Sequence, residues 1–302
     1  MRILFAGTPE VGLPVAKFLA PELVGVLTRP DAQVGRGREL KPSPIAQWAQ
    51  ESSIDTFKTS QSTPELIDWL TEKEPDIGVV VAFGALLPSE VLSIPRHGWL
   101  NIHFSLLPHL RGAAPVQRAI LNGDEITGVT IFQLDEGMDT GPIFGSVTRE
   151  IGERERSDDL LRALTLQSIP LLGDVLKGIS EGSLRSHPQE LQGVSYAPKV
   201  SKEEYRILWD RPAHAIVRQV RAFHPLAFAS FRGERIAVLE AVKSDIHTEL
   251  SLGELLVEAN KLFIGCAFGS VEICRVRPAG KSEMSVADWL RGARTSPGER
   301  FE

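Results

Sequence analysis

The sequence predicts an α/β chain: an open, mostly parallel sheet with crossover helices, followed by a small β-barrel. Short apolar runs alternate with amphipathic stretches through roughly the first 180 residues, the pattern of strands joined by helices. Within them Ile77 to Ala82 is an unbroken apolar run, the kind buried on both faces in the middle of a parallel sheet. Beyond about residue 200 the character changes to brief alternating runs separated by turn residues, which suits a barrel.

Taken in order, Ile3 to Ala6 reads as the first strand, Val11 to Leu19 as a helix, and Leu23 to Thr28 as the second strand. Ser43 to Glu51 reads as a helix behind Pro42 and Pro44. Trp99 to His103 and Gly128 to Leu134 follow as strands, and Asp158 to Ser180 as a helix. Between about Arg185 and Lys202 periodicity is lost and Pro188, Gly193, Ser195, Pro198 and Ser201 gather, the composition of a linker. The expected division is a catalytic domain over 1–187, a linker over 188–204 and a C-terminal domain over 205–302. In the last of these a helix from Ala213 to Ala222 precedes strands at Ala227 to Phe231, Arg235 to Ala241, Gly253 to Val257, Leu262 to Cys266 and Val271 to Val276.

A length of 302 residues favours two domains, and 42% hydrophobic against 24% charged residues supplies a sizeable core rather than a disordered chain. The net charge of -6 argues against a general nucleic-acid binder, since phosphate neutralisation needs a basic surface. Charge is unevenly spread, however. Residues 201–302 hold 15 Lys and Arg against 14 Asp and Glu, so the deficit lies in the first 200. The two cysteines, Cys266 and Cys274, flank a glycine-containing segment and read as small apolar side chains of a hairpin, with neither a disulfide nor a metal role expected. The opening Met1-Arg-Ile-Leu-Phe-Ala turns at Gly7-Thr8-Pro9 before a signal-like apolar run can build, so a cytoplasmic chain is expected. No exposed heptad argues for assembly, which makes a monomer the expectation.

Asn101 and His103 stand two apart at the end of a strand, so alternation puts both on one face. Carboxyl ends of strands in open parallel sheets are where ligands bind. Alone, the pair reads more readily as a satisfied polar contact than as a functional one. A second strand runs into the loop Leu134-Asp-Glu-Gly-Met-Asp-Thr-Gly141, whose Asp139 is either a turn aspartate bonding its own backbone or the acid that orients the histidine. Amide, imidazole and carboxylate together suit acyl transfer to an amine, in which an oxyanion needs donors and the attacking nitrogen must lose a proton. A carboxylate near His103 is expected to favour imidazolium and to fix the ring. No Ser, Cys or Lys stands as an obvious covalent nucleophile, so direct transfer is expected.

With Asn101-x-His103-x-Ser-Leu-Leu-Pro108-x-x-Arg-Gly-Ala-Ala-Pro115, followed 36 residues after the histidine by Asp139, the chain resembles the folate-dependent formyltransferases. The resemblance extends to Phe5-Ala-Gly-Thr-Pro9, Val81-Ala-Phe-Gly84, Tyr196-Ala-Pro-Lys-Val-Ser-Lys-Glu-Glu204 and Pro278-Ala-Gly-Lys-x-x-Met284. It implies a Rossmann-like first domain and an OB-like barrel. It implies Asn101, His103 and Asp139 as the catalytic trio, and Ser105, Leu106, Leu107 and Pro108, with Phe83 and Gly84, as the lining of the folate site. The implied co-substrate is 10-formyltetrahydrofolate, without a metal, and the implied acceptor is the methionine α-amine of initiator methionyl-tRNA. The loop from Arg29 to Pro44, which on composition is a solvated surface loop, corresponds to an insertion that meets the tRNA acceptor arm. Arg36 stands at its basic position, with Arg38 and Lys41 nearby, and Lys281, Arg275 and Arg277 are the candidates in the barrel. Two positions depart from the family pattern: Phe104 after the histidine, and the turn Phe223 to Ala229.

Three rival readings compete. A nicotinamide enzyme would use the Gly7 turn but lacks the Gly-x-Gly-x-x-Gly spacing. The same formyl chemistry could serve a sugar-nucleotide amine or water. A non-catalytic RNA-binding protein would have no use for the complete trio.

Overall fold

A computed structural model describes residues 1–34, 39–246 and 249–302. The chain divides into two compact units, the first made of Met1–Pro115, Ile126–Glu150 and Leu161–Ala197, the second of Val116–Glu125, Ile151–Leu160 and Pro198–Glu302.

The elements in chain order are β1 (Ile3–Gly7), α1 (Leu13–Leu19), β2 (Leu23–Thr28), β3 (Ala32–Val34), β4 (Glu39–Lys41), α2 (Pro44–Glu51), β5 (Thr56–Lys58), α3 (Pro64–Glu72), β6 (Ile77–Val81), α4 (Ser89–Leu92), β7 (Trp99–His103), α5 (Pro115–Asn122), β8 (Ile126–Gln133), β9 (Ile143–Glu150) and α6 (Ser157–Ser180). The first unit is built on a seven-stranded sheet of order β5-β2-β1-β6-β7-β8-β9. Pairing is parallel from β5 through β7 and antiparallel from β7 to β8 and from β8 to β9. The mostly parallel sheet is therefore as expected, while the strand foreseen at Gly128 to Leu134 runs against its neighbours and β9 beyond it was not foreseen. Every residue of β1 and β6 is buried, which is why the run at Ile77 carries no polar alternation. Leu4, Leu27, Leu66, Leu70, Phe83 and Trp99 pack in one core cluster. Helix starts follow local chemistry: the Ser43 side chain accepts from the Ala46 N–H and the Thr63 side chain from Leu66, each followed by a proline whose missing N–H costs nothing there.

The strand order reverses between β1 and β6, so their carboxyl ends open a crevice. There the Thr8 hydroxyl donates to the Phe83 carbonyl at 2.8 Å and the Arg29 guanidinium to the Gly84 carbonyl at 3.0 Å.

The second unit contains α7 (Ala213–Ala222), β10 (Phe228–Phe231), β11 (Glu234–Ser244), β12 (Leu255–Glu258), β13 (Lys261–Gly265), β14 (Ser270–Pro278), β15 (Met284–Ser285) and α8 (Val286–Ala293). Its antiparallel sheet runs β10-β11-β14-β13-β12, with β15 on β14. The chain's last residues join the two ends: Ser230 and Glu302 exchange backbone hydrogen bonds at 2.8 Å, and the Phe301 N–H donates to Gly253 at 2.8 Å. Closure thus uses the tail as well as the expected strands. The Phe301 ring stacks on Phe231 at 4.9 Å and meets Trp209 at 6.2 Å, while Trp289 packs on Phe231 at 5.4 Å. Among the described residues no helix is long and apolar enough to cross a membrane.

Candidate active site

Asn101 and His103 lie on β7, in register with Phe132 and Thr130 of β8. The His103 ring is buried, with the Phe132 ring edge-on at 6.3 Å. Its Nε2 lies 2.9 Å from the Leu110 carbonyl oxygen. A carbonyl only accepts, so Nε2 carries a proton and donates it. The other ring nitrogen, Nδ1, is 3.7 Å from Oδ2 of Asp139. In a neutral ring with this tautomer Nδ1 holds the lone pair.

Burial pushes the His103 pKa below its ordinary value, and the Asp139 charge and the Leu110 hydrogen bond only oppose that push. The Asp139 charge favours imidazolium, as expected beside a carboxylate, but burial acts the other way and more strongly. Losing water around a nearly enclosed ring outweighs one carboxylate 3.7 Å away.

Asp139 does not serve its own turn. Its backbone has φ 53°, and its Oδ2 accepts the Gly112 N–H at 2.7 Å. Asp135, four residues earlier, fills the turn role, accepting from the Gly137 N–H at 3.1 Å and the Thr140 hydroxyl at 2.7 Å. Gly112 is required by its surroundings: at φ 119° a Cβ would stand 2.8 Å from the Ala197 carbonyl oxygen. Asn101 is half-buried, and no hydrogen bond involves its side-chain amide among the described residues. Among the described residues it is thus a donor without a protein partner, on the strand that carries the histidine.

The segment after His103 folds back over the sheet. Ser105 is fully buried and donates to the His109 carbonyl at 2.5 Å; its own carbonyl accepts from Thr130, whose hydroxyl accepts in turn from the Leu107 N–H at 3.1 Å. Leu107 packs against Phe132 and Ile143, Leu106 and Pro108 are half-exposed, and the Leu107–Pro108 peptide is cis. Phe104 is buried. Phe83 turns its ring into the core, whereas Gly84 is exposed with φ 83°, so what this loop offers a ligand is backbone.

The basic candidates are scattered. Lys41 is exposed on β4 and paired with Glu39 at 3.2 Å; Arg36 and Arg38 lie outside the described residues. Lys281 is exposed in the turn after β14, while Arg275 is tied to Glu283 at 2.7 Å and Arg277 donates to the Pro225 carbonyl at 3.2 Å. Both thiols are hard to ionise, Cys266 pushed up to about 12 and Cys274 to about 11 by burial.

Four residues around the histidine escaped the sequence reading: Leu110, Gly112, Gln189 and Ser195. Leu110 and Gly112 act through backbone atoms, which leave no side-chain pattern to read. Gln189 and Ser195 fall in the stretch taken for a linker, although Arg111 and Tyr196 pair there as a β-bridge.

A family model described as "Formyl transferase" matches residues 17–175, and one described as "Formyl transferase, C-terminal domain" matches residues 199–294. A protein of Salinispora tropica named methionyl-tRNA formyltransferase is 47% identical over 305 residues, covering 99% of this chain and 99% of its own. One of Thermobifida fusca with the same name is 45% identical over 307 residues, covering 100% and 99%. Among solved structures, an N-formyltransferase from Helicobacter canadensis in complex with folinic acid and dTDP-3-aminofucose superposes with a TM-score of 0.68 at 17% identity, over 90% of this chain and 98% of that one. At that identity the likeness is one of fold.

Proposed function

The chain belongs to the formyl transferase family, and from that premise we propose that it is an enzyme transferring the formyl group of 10-formyltetrahydrofolate to the methionine α-amine of initiator methionyl-tRNA, for translation initiation. Within the site, the observation that carries the reading is a buried His103 held between the Leu110 carbonyl and Asp139, its pKa lowered by burial, with the Asn101 amide on the same strand.

The acceptor amine has a reference pKa of about 7.7 to 8.0, so part of it is already a neutral nucleophile at cellular pH. When it adds to the formyl carbon it must shed a proton. His103 takes that proton at Nδ1, because Nε2 is already donating to Leu110, and Asp139 then stabilises the cation. As the tetrahedral adduct collapses, the bond from the formyl carbon to the folate nitrogen breaks, His103 returns the proton to that nitrogen, and tetrahydrofolate leaves. Asn101 donates to the oxygen as negative charge builds on it, a stabilisation worth most in a water-poor site. Transfer is direct, since both thiols resist ionisation and Ser105 is fully buried with its hydroxyl engaged. Folate is held by the segment Ser105 to Pro108 and by the Phe83–Gly84 backbone at the crevice where the strand order reverses.

For the tRNA we propose Arg36, Arg38 and Lys41 in the hairpin loop and Lys281 in the barrel, with residues 205–302 acting as a tRNA-binding domain. The protein would work as a monomer in the cytoplasm. A sugar-nucleotide amine is the competing acceptor, because the fold is shared with a structure holding one. The test is formyl transfer to charged initiator methionyl-tRNA, run beside elongator methionyl-tRNA and a sugar-nucleotide amine. Transfer confined to the initiator is the expected result, and transfer to the sugar amine alone would overturn the acceptor assignment.

A further inference from the structure

The stretch that composition marks as linker touches both sides of the catalytic histidine through its supports. Gln189 Nε2 donates to the Asp139 carbonyl and to the Gly141 carbonyl, each at 2.8 Å. Its Oε1 accepts from the buried Arg111 guanidinium, at 3.1 Å from Nε and 2.6 Å from Nη2. Six residues on, the Ser195 hydroxyl accepts the Leu110 N–H at 2.9 Å and lies 2.7 Å from His109 Nδ1. The backbone then laces to the strap around Arg111: Arg111 N–H donates to Ser195 at 2.9 Å, Ala197 N–H to Arg111 at 2.7 Å and Ala114 N–H to Ala197 at 3.2 Å.

The groups held in this way are the ones His103 uses. Leu110 presents its carbonyl to Nε2 and Gly112 presents its N–H to Asp139. Leu110, Gly112 and Asp139 all have positive φ, at 60°, 119° and 53°. At the non-glycines Leu110 and Asp139 such backbone persists only where its surroundings over-determine it, whereas Gly112 adopts it freely. The two side chains that do so are Gln189 on the Asp139 side and Ser195 on the Leu110 side.

We propose that residues 189–197 form a brace for the His103–Asp139 pair, with Gln189 and Ser195 as positioning residues that set which nitrogen of His103 carries the proton. Neither touches the ring. Ser195 acts by aiming the Leu110 carbonyl, and Gln189 by fixing the backbone that carries the Asp139 carboxylate. The kinetic part of this inference rests on the proposed formyl transfer; the part concerning the histidine proton does not.

The test combines both readouts on the full chain. Ser195→Ala and Gln189→Leu are expected to lower kcat about tenfold with KM for either substrate changing less than about twofold, the cost of a small misplacement of a catalytic group. In histidine-labelled protein, nitrogen chemical shifts read the tautomer. The unaltered chain should show His103 protonated on Nε2, Ser195→Ala a mixture, and Ser195→Thr, which keeps the hydroxyl, the unaltered pattern and rate. The acid limb of the rate profile should move down in both damaging variants, as the Leu110 and Asp139 influences that raise the His103 pKa weaken. An unchanged tautomer in Ser195→Ala would overturn the brace, whatever its melting temperature, and an unmoved acid limb in Gln189→Leu would remove Gln189 from it. If the unaltered protein transfers no formyl group, the functional reading fails while the tautomer comparison still decides the brace.

Discussion

Around His103 the decisive contacts are the Leu110 carbonyl on Nε2 and the Asp139 carboxylate near Nδ1, itself accepting the Gly112 N–H. They come from two loops whose backbones are left-handed at Leu110, Gly112 and Asp139 and are bonded by Gln189 and Ser195. In the barrel the decisive contacts are rings: Phe301 on Phe231, with Trp209 and Trp289 around them, drawn in by a tail that joins β10 to the turn before β12. The first arrangement fixes which nitrogen of one imidazole donates to Leu110 and opposes the effect of burial on its pKa. The second derives its worth from area removed from water and from ring contacts. Chemistry and stability are thus assigned to different kinds of contact, and substitutions should separate them.

The largest separation is expected from His103→Ala, which should lower turnover roughly a thousandfold, the usual range for a positioned acid–base group, in a single-turnover formylation assay. Phe301→Ala should do the reverse, destabilising the second unit by about 3 kcal/mol in denaturant titration, as for emptying a buried aromatic site, with kcat per folded molecule unchanged. A loss of turnover there equal to the loss of stability would break the comparison. Next comes Asn101→Ala, for which kcat should fall about a hundredfold while folate affinity measured by fluorescence changes little, because the amide acts on charge that appears only in the transition state.

Asp139→Asn should move the acid limb of the rate profile. Asp139 raises the His103 pKa against the stronger effect of burial, so removing its charge lowers that pKa further and shifts the limb to lower pH, with a reduced plateau. The smallest effect concerns stability. Because folding holds His103 below 6.5, the unfolded chain binds the proton more readily. This contribution is therefore fully present above about pH 6.5 and lost as pH falls from there through the depressed folded value. Denaturation midpoints between pH 5 and 8 should fall on acidification, and His103→Ala should flatten part of that slope.

Much of the fold was legible because hydrophobic pattern encodes it. The runs at Ile3, Leu23 and Ile77 became β1, β2 and β6, and the change of character near residue 200 is the entry to the barrel. Short elements such as β3, β4 and β5 were missed because three residues are too few to show a period. Strand β9 was missed for another reason: its burial alternates weakly, as suits a sheet edge. Asn101, His103 and Asp139 were legible as a candidate trio, and the motif around them drew the family resemblance.

What the sequence determined alone is the alternation of strands with helices ahead of an antiparallel C-terminal region and the residue types able to perform acyl transfer, since these follow from local periodicity and side-chain chemistry. Only the tertiary structure decided that Asp139 holds the Gly112 N–H while Asp135 serves the turn, that burial lowers the His103 pKa and that residues 189–197 bond to the strap around Arg111. Those outcomes depend on desolvation and on backbone groups brought together across about 85 residues of chain, and neither leaves a mark on local sequence.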